Sequence, residues 1–309
     1  MTSTANQLET RSGMKFHKKG LKIYFSSALI ALCANLFFLP QAHADQTISA
    51  MAGPWPITIR TCSHDAGAVC SLTWRGKEFI NDYDHGRQLQ SASSFDNLGE
   101  SFNPTEAGAA VPYNGVNPSP SSSILQGEWA TSNVLATQTK MAFWYPVGGN
   151  QVSNHILNKR ITIGLPNMPH VIEYLTQFTI PSNESHSFGV FEALTGYMPP
   201  EFSKFYTFDV RNNAVMEAPL SDGPGEQNLP VIFSTPDGGW AMGIYSPEAP
   251  QATFAGLGYG RFRFPDTVKW NNVFRIYNPS GTYHFRSYVI VGSLENVKVS
   301  MKQLYNYVH

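Results

Sequence analysis

Short runs rich in β-branched and aromatic residues recur along the chain, separated by Gly, Pro, Asn, Asp and Ser. Such runs at 56–61, 69–74, 124–129, 134–144, 159–164 and 170–180 each read as a β-strand, as do 187–197, 230–235, 239–246, 253–264, 268–277 and 282–292. In the run 170–180, Ile172, Tyr174, Thr176, Phe178 and Ile180 alternate with Glu173, Gln177 and Thr179. That period of two predicts one buried and one polar face. The continuous apolar run 289–292 predicts a strand covered on both sides. One segment breaks the rule. Leu294, Val297, Met301, Leu304 and Val308 stand three or four residues apart, predicting an amphipathic helix over 294–308. Ser293 suits its N-cap and Glu295 its first turn. Packing on its own domain is the expected role, with partner docking the alternative. Residues 104–123 and 221–230 read as surface loops, and no repeat of fixed period is present.

The N-terminus stands outside this pattern. Lys15, Lys18, Lys19 and Lys22 precede an apolar run that closes at Pro40 and Gln-Ala-His-Ala. A basic region, an apolar stretch and an A-x-A ending predict an export signal over 1–44, cut after Ala44, with Met14 as a possible start. Cys33 follows Ile-Ala-Leu, and Leu32 is too bulky for the small residue that precedes a lipidated cysteine. Cleavage leaves residues 45–309 as a single domain, with 16 basic and 21 acidic side chains and a net charge of −5. Without a basic stripe, nucleic acid and anionic membranes are not expected partners. No second apolar stretch is long enough to span a bilayer.

Charged residues make up only 14% and aromatics 13%, a profile of many strands around an aromatic core. The expected class is all-β, a large antiparallel β-sandwich with a short C-terminal helix. Cys62 and Cys70, the two cysteines left after cleavage, are expected as a hairpin disulfide in an oxidising compartment.

Candidate chemistry concentrates between residues 82 and 106, which carry DYDHGRQLQ and then FNPTEAG. If 82–90 is extended, His85 and Arg87 share one face with Tyr83 and Leu89, and Asp84, Gln88 and Gln90 take the other. An Asp84–His85 dyad therefore requires a turn at Gly86. Pro104 has no N–H for a ladder, so FNPTEAG reads as a loop, with Glu106 as a possible proton acceptor. The segment reads either as a His/Arg/Gln array facing a hydroxyl-rich or carboxylate ligand, or as a buried network bracing the first hairpin. In the enzymatic version Glu106 takes a proton, His85 donates one and Arg87 binds the ligand. Asp84, Gln88, Gln90 and Asn103 would supply hydrogen bonds, and an aromatic such as Trp144 a stacking surface.

Other signals fail. Asp82-x-Asp84-x-Gly86 lacks the remaining ligands of a calcium loop. Gly256-x-Gly258-x-Gly260 has the wrong spacing for a dinucleotide loop. His186 and Glu192 would lie about 20 Å apart along one strand. His155 and His170 stand alone in the sequence. No metal or cofactor is expected.

The stretch GAVCSLTWRGKEFINDYDHGRQLQ and the ending YHFRSYVIVGSLENVKVSMKQL resemble the first hairpin and last strand-helix of galactose mutarotase-like domains. The resemblance covers about 50 residues at the start of the mature chain and about 30 at its end. It implies a β-supersandwich of two large antiparallel sheets with a sugar site on a concave face. Relatives include aldose epimerases and domains of polysaccharide lyases and glycoside hydrolases. Epimerases pair a His acid with a Glu base, the His lying in an Asn-His-x-aromatic-aromatic-Asn setting. Asn154-His155-Ile156-Leu157-Asn158 lacks both aromatics and is one residue shorter, so no catalytic residue carries over. The reading is an exported protein that acts on or binds a sugar or polysaccharide, with a non-catalytic glycan-binding or envelope module as the alternative.

Overall fold

The computed structural model of the chain describes residues 45–111, 120–144, 151–219, 225–247 and 258–309. The expected leader, the middle of the 104–123 loop, the start of the 221–230 loop and the first part of the 253–264 run lie outside them. Two antiparallel sheets account for every strand described. Thr47–Ala52, Trp55–Thr61, Val69–Trp74 and Lys77–Glu78 form a four-stranded meander. The other fifteen form one sheet. Part of its order is Gly225–Gln227, Tyr259–Arg263, Val268–Tyr277, Phe188–Met198, Gln90–Phe95, Pro104–Thr105, Val134–Phe143, Val152–Leu165, Met168–Thr179 and Thr282–Gly292.

This sheet doubles back to bury its own apolar face. Phe191 and Phe274 from one half meet Phe178 and Phe285 from the other. Ring centroids lie 5.3 Å apart for Phe178–Phe191 and 4.4 Å for Phe274–Phe285. Farther along the seam, Leu194 and Trp270 join Ile161, Tyr174 and Val289 in a core that the meander completes with Ile48, Ile57, Ile59 and Leu72. Along Met168–Thr179, burial follows the predicted alternation, with Ile172, Tyr174, Thr176 and Phe178 inside. The run 289–292 is buried throughout.

The helix Leu294–Val308 closes the chain as predicted. Ser293 and Asn296 form a reciprocal capping box. Val297, Met301 and Leu304 pack on Ile232, Tyr288 and Ile290, so the apolar stripe is spent on its own domain. The Cys62–Cys70 disulfide joins the ends of the Trp55–Thr61/Val69–Trp74 hairpin, with Cα atoms 5.8 Å apart.

Two local expectations change. Pro104–Thr105 is a short strand rather than loop, pairing with Phe143 and Ala142 on one side and Ala92 on the other. Residues 104–110 are buried, not a surface loop. The segment 82–88 is a series of turns rather than extended, and Gly86 adopts φ +97°. Strand geometry therefore does not govern which way Asp84, His85 and Arg87 point.

Candidate functional site

The turns of 82–90 brace themselves. Gln88 donates to Asp82 Oδ1 (2.6 Å) and its side-chain carbonyl accepts the Gly86 N–H (2.8 Å). Gln90 donates to Gly86 O (2.6 Å) and accepts from Ala107 N (3.0 Å), tying the turn to the segment that follows the strand Pro104–Thr105. Asp84 does not orient His85. It pairs with Arg87 (2.8 Å), whose other amino group holds Asp266 (3.0 Å). The guanidinium is thus already compensated by two carboxylates. It stands beside an open cleft of about 430 Å³ lined by Ile80, Asn81, Asp82, Tyr83, Pro199, Pro200 and Asp266.

His85 and Glu106, expected as acid and base, both turn inward. The Glu106 carboxylate has no exposed surface; it pairs with the buried Lys159 and accepts the Ser91 N–H at 3.0 Å. Burial raises its pKa against the pull of Lys159. Lys159 also donates to Gly67 O (3.0 Å). The pair therefore ties the disulfide hairpin to the centre of the sandwich, a structural task.

His85 Nε2 lies 2.7 Å from Ala107 O. A carbonyl can only accept, so this nitrogen carries a proton. His85 Nδ1 then faces Asp65 Oδ1 at 3.2 Å, and Asp65 Oδ2 faces His64 Nε2 at 3.0 Å. Neither contact has hydrogen-bond geometry, so the Asp65 carboxyl lies buried without a hydrogen-bond partner among the described residues. Consistently, burial, with Asp82 nearby, raises the Asp65 pKa to about 8. In the unfolded chain this carboxyl titrates near its ordinary 3.8. Its folded-state value is the higher one. The stability it contributes is therefore fully present below about pH 3.8 and lost as pH rises through about 8. Wild type should lose stability relative to Asp65→Asn between about pH 5 and about pH 9, on either side of that value. Urea midpoints across the window read this, and parallel curves for the two proteins would refute it.

A different set of side chains shares the outer face of the sheet, with Glu192, Tyr197, Phe262 and Lys269 partly exposed and Gln90, Thr195, Asn271 and Val273 buried. Register puts Gln90, Thr195, Asn271 and Gly260 in one row across four strands. The next row is Tyr197, Lys269 and Phe262. On the other side of the row stand Glu192, Val273 and Ala92. A β-bulge between Glu192 and Leu194 brings Glu192 and Tyr197 to the same face despite their opposite parity. The neighbouring Trp270 points into the core.

Lys269 sits between the rings of Tyr197 (5.1 Å) and Phe262 (5.2 Å), with Glu192 at 3.6 Å. Burial works against its charge, yet Glu192, Tyr197 and Glu100 together hold its pKa above the ordinary lysine value. It is a fixed cation, not a base. The Asn271 side chain lies over Gly260, where any Cβ would overlap its Oδ1. That oxygen is buried and has no hydrogen-bond partner among the described residues.

Of the expected ligand-binding residues, Gln90 alone joins this row, with both ends of its amide engaged. The Trp144 ring covers Gly86, and its backbone N–H donates to Asn103 O (2.8 Å). Asp84 and Gln88 serve the turn. Sequence reasoning passed over Lys269 and Asn271. The available signal was the Asn271-Asn272 pair in mid-strand, where asparagine is disfavoured.

The lone imidazoles also prove less isolated. His155 Nε2 lies 2.8 Å from Glu184 Oε2, and His186 Nε2 lies 3.0 Å from the same oxygen. His170 is structural, its Nδ1 donating to Val291 O at 2.7 Å. Glu173 stands 3.5 Å from Arg286.

No protein-family model matches the chain, and no curated protein matches it in sequence. Solved structures are similar in fold. An α-galactosidase from Lactobacillus brevis aligns with TM-score 0.50 and 11% identity, over 86% of this chain and 42% of its own. An α-galactosidase from Geobacillus stearothermophilus gives 0.48 and 9%, over 82% and 42%. A galactose mutarotase related enzyme from Lactobacillus acidophilus gives 0.44 and 10%, over 81% and 98%. The chain thus spans less than half the length of the α-galactosidases it resembles. The likeness is one of fold alone, and the class is the all-β antiparallel sandwich with a short C-terminal helix expected from the strand pattern.

Proposed function

We propose that the protein is exported and recognises a neutral carbohydrate on the sheet face that carries Asn271, Lys269 and Glu192. The observation that carries this reading is the buried Asn271 Oδ1, an acceptor without a partner among the described residues. It lies between a fixed ammonium in one row and a carboxylate in the other. Sugar hydroxyls donate and accept at once. Asn271 and Glu192 would take their protons, Lys269 would donate, and the rims of Tyr197 and Phe262 give apolar contact. Glu192 and Glu100 together outweigh the single Lys269 charge, which disfavours a uronate or sulfated ligand. The fold, shared with sugar-handling enzymes, supports the class of ligand and nothing finer. Among the described residues no helix is long and apolar enough to cross a membrane.

The test is calorimetric titration of a panel of neutral and acidic saccharides into protein recovered after export, whose first residue is expected to be Asp45. Asn271→Ala and Glu192→Gln should each weaken binding about tenfold, the cost of a lost hydrogen bond to a polar or charged group. Arg87→Ala should stay within about twofold of wild type. Loss of binding in Arg87→Ala with Asn271→Ala unaffected would return the site to residues 82–106. A panel with no binder, or only acidic binders, would end the proposal.

A further inference from the structure

His155 lies on the strand Val152–Leu165, and His186 just before the strand Phe188–Met198. Glu184 lies between them in sequence space on a turn closed by its own N–H to Pro181 O (3.0 Å). The sandwich brings all three to one point. His155 Nε2, Glu184 Oε2 and His186 Nε2 lie within 4.8 Å of one another, close enough to ligate a single ion. Two further features look built rather than incidental. Asp96 Oδ2 takes the Nδ1–H of His186 at 2.8 Å, which fixes the tautomer and aims Nε2 at Glu184. Asp96 is itself anchored by the Ser187 N–H and hydroxyl, both at 2.7 Å. The Phe95 ring stacks on His186 (4.3 Å) and lies against His155 (5.0 Å), so both imidazoles are oriented before any ion arrives. Glu184, with 28% of its side chain exposed, leaves a path from solvent.

We propose that His155, Glu184 and His186 form a binding site for a divalent transition-metal ion, with Asp96 as the positioning residue for His186. Two imidazoles and one carboxylate suit zinc and its neighbours rather than calcium or magnesium, which take all-oxygen shells. Three protein ligands leave a fourth position for water or a ligand atom. The disulfide removes Cys62 and Cys70 from competition. Bound metal would tie the turn 181–187 to two strands of the large sheet. It would therefore stabilise the fold by mass action.

The site is tested by titrating Zn²⁺ alone into metal-stripped mature protein against a chromophoric chelator, with the melting temperature as a second readout. Wild type should bind one equivalent and melt higher with zinc than without. Glu184→Gln, on an exposed turn and expected to fold, should lose the equivalent and the thermal shift. His155→Ala with His186→Ala should do the same, with circular dichroism confirming the fold. Asp96→Asn should bind about 10- to 100-fold more weakly at unchanged stoichiometry, as expected for an orienting carboxylate. His284→Ala, an exposed histidine elsewhere, should match wild type. Failure of wild type to take up zinc, or uptake equal in wild type and Glu184→Gln, would overturn the proposal. Neither result bears on sugar binding at Asn271.

Discussion

Replacing Glu106 by Gln is expected to cost about 3–5 kcal/mol of folding stability, the penalty for removing one partner of a buried ion pair. The melting midpoint should fall on the order of 10 °C for a domain of this size. The loss arises because the ammonium of Lys159 stays in a site without exposed surface, held by Gly67 O but no longer by a carboxylate. Lys159→Met should cost a similar amount by stranding the carboxylate. The double substitution Glu106→Leu with Lys159→Met should recover part of this. It removes both charges, yet leaves Ser91 N–H and Gly67 O without their partners, each worth about 1–3 kcal/mol. Urea titrations of the three proteins measure the effect. A loss under about 1 kcal/mol in Glu106→Gln would mean that the pair is held neutral by proton transfer. A general base would behave differently, since its removal abolishes turnover and leaves stability nearly intact.

Gly86→Ala is the second large effect. At φ +97° an alanine is strained, and its Cβ would overlap the Trp144 ring. Backbone strain of about 1–3 kcal/mol and overpacking of about 1–3 kcal/mol predict a loss near 3 kcal/mol or more. Trp144 should move as well, since its ring cannot share that space. The companion variant Trp144→Ala/Gly86→Ala isolates the two causes, because it removes the overlap and keeps the strain. Tryptophan fluorescence together with the urea midpoint reads both. An unchanged midpoint in Gly86→Ala would show that the turn 82–90 relaxes freely, contrary to its bracing by Gln88 and Gln90.

Much of the fold was legible in the chain. The alternation in 170–180, the spacing in 294–308 and the pairing of Cys62 with Cys70 depend on neighbours in sequence, and each reappears in the structure. The site was less legible. Residues 82–106 are dense in polar groups, and the structure uses most of them internally: Gln88 on Asp82, Glu106 on Lys159, and His85 between Ala107 and Asp65. Density of chemistry in sequence does not distinguish a pocket from a braced turn. The difference lies in burial and partners, and Asp65 and Lys159 are far from His85 and Glu106 in sequence.

The sequence by itself determined the all-β class, the capped terminal helix and the hairpin disulfide, because periodicity, capping and short loop closure are local. Only the tertiary structure decided which polar groups gather on one face. Asn271, Lys269 and Glu192 come together through strand register and a one-residue bulge, and His155, Glu184 and His186 through closure of the sandwich. Register and closure are set by how two distant apolar faces fit, and no local stretch of residues encodes that fit.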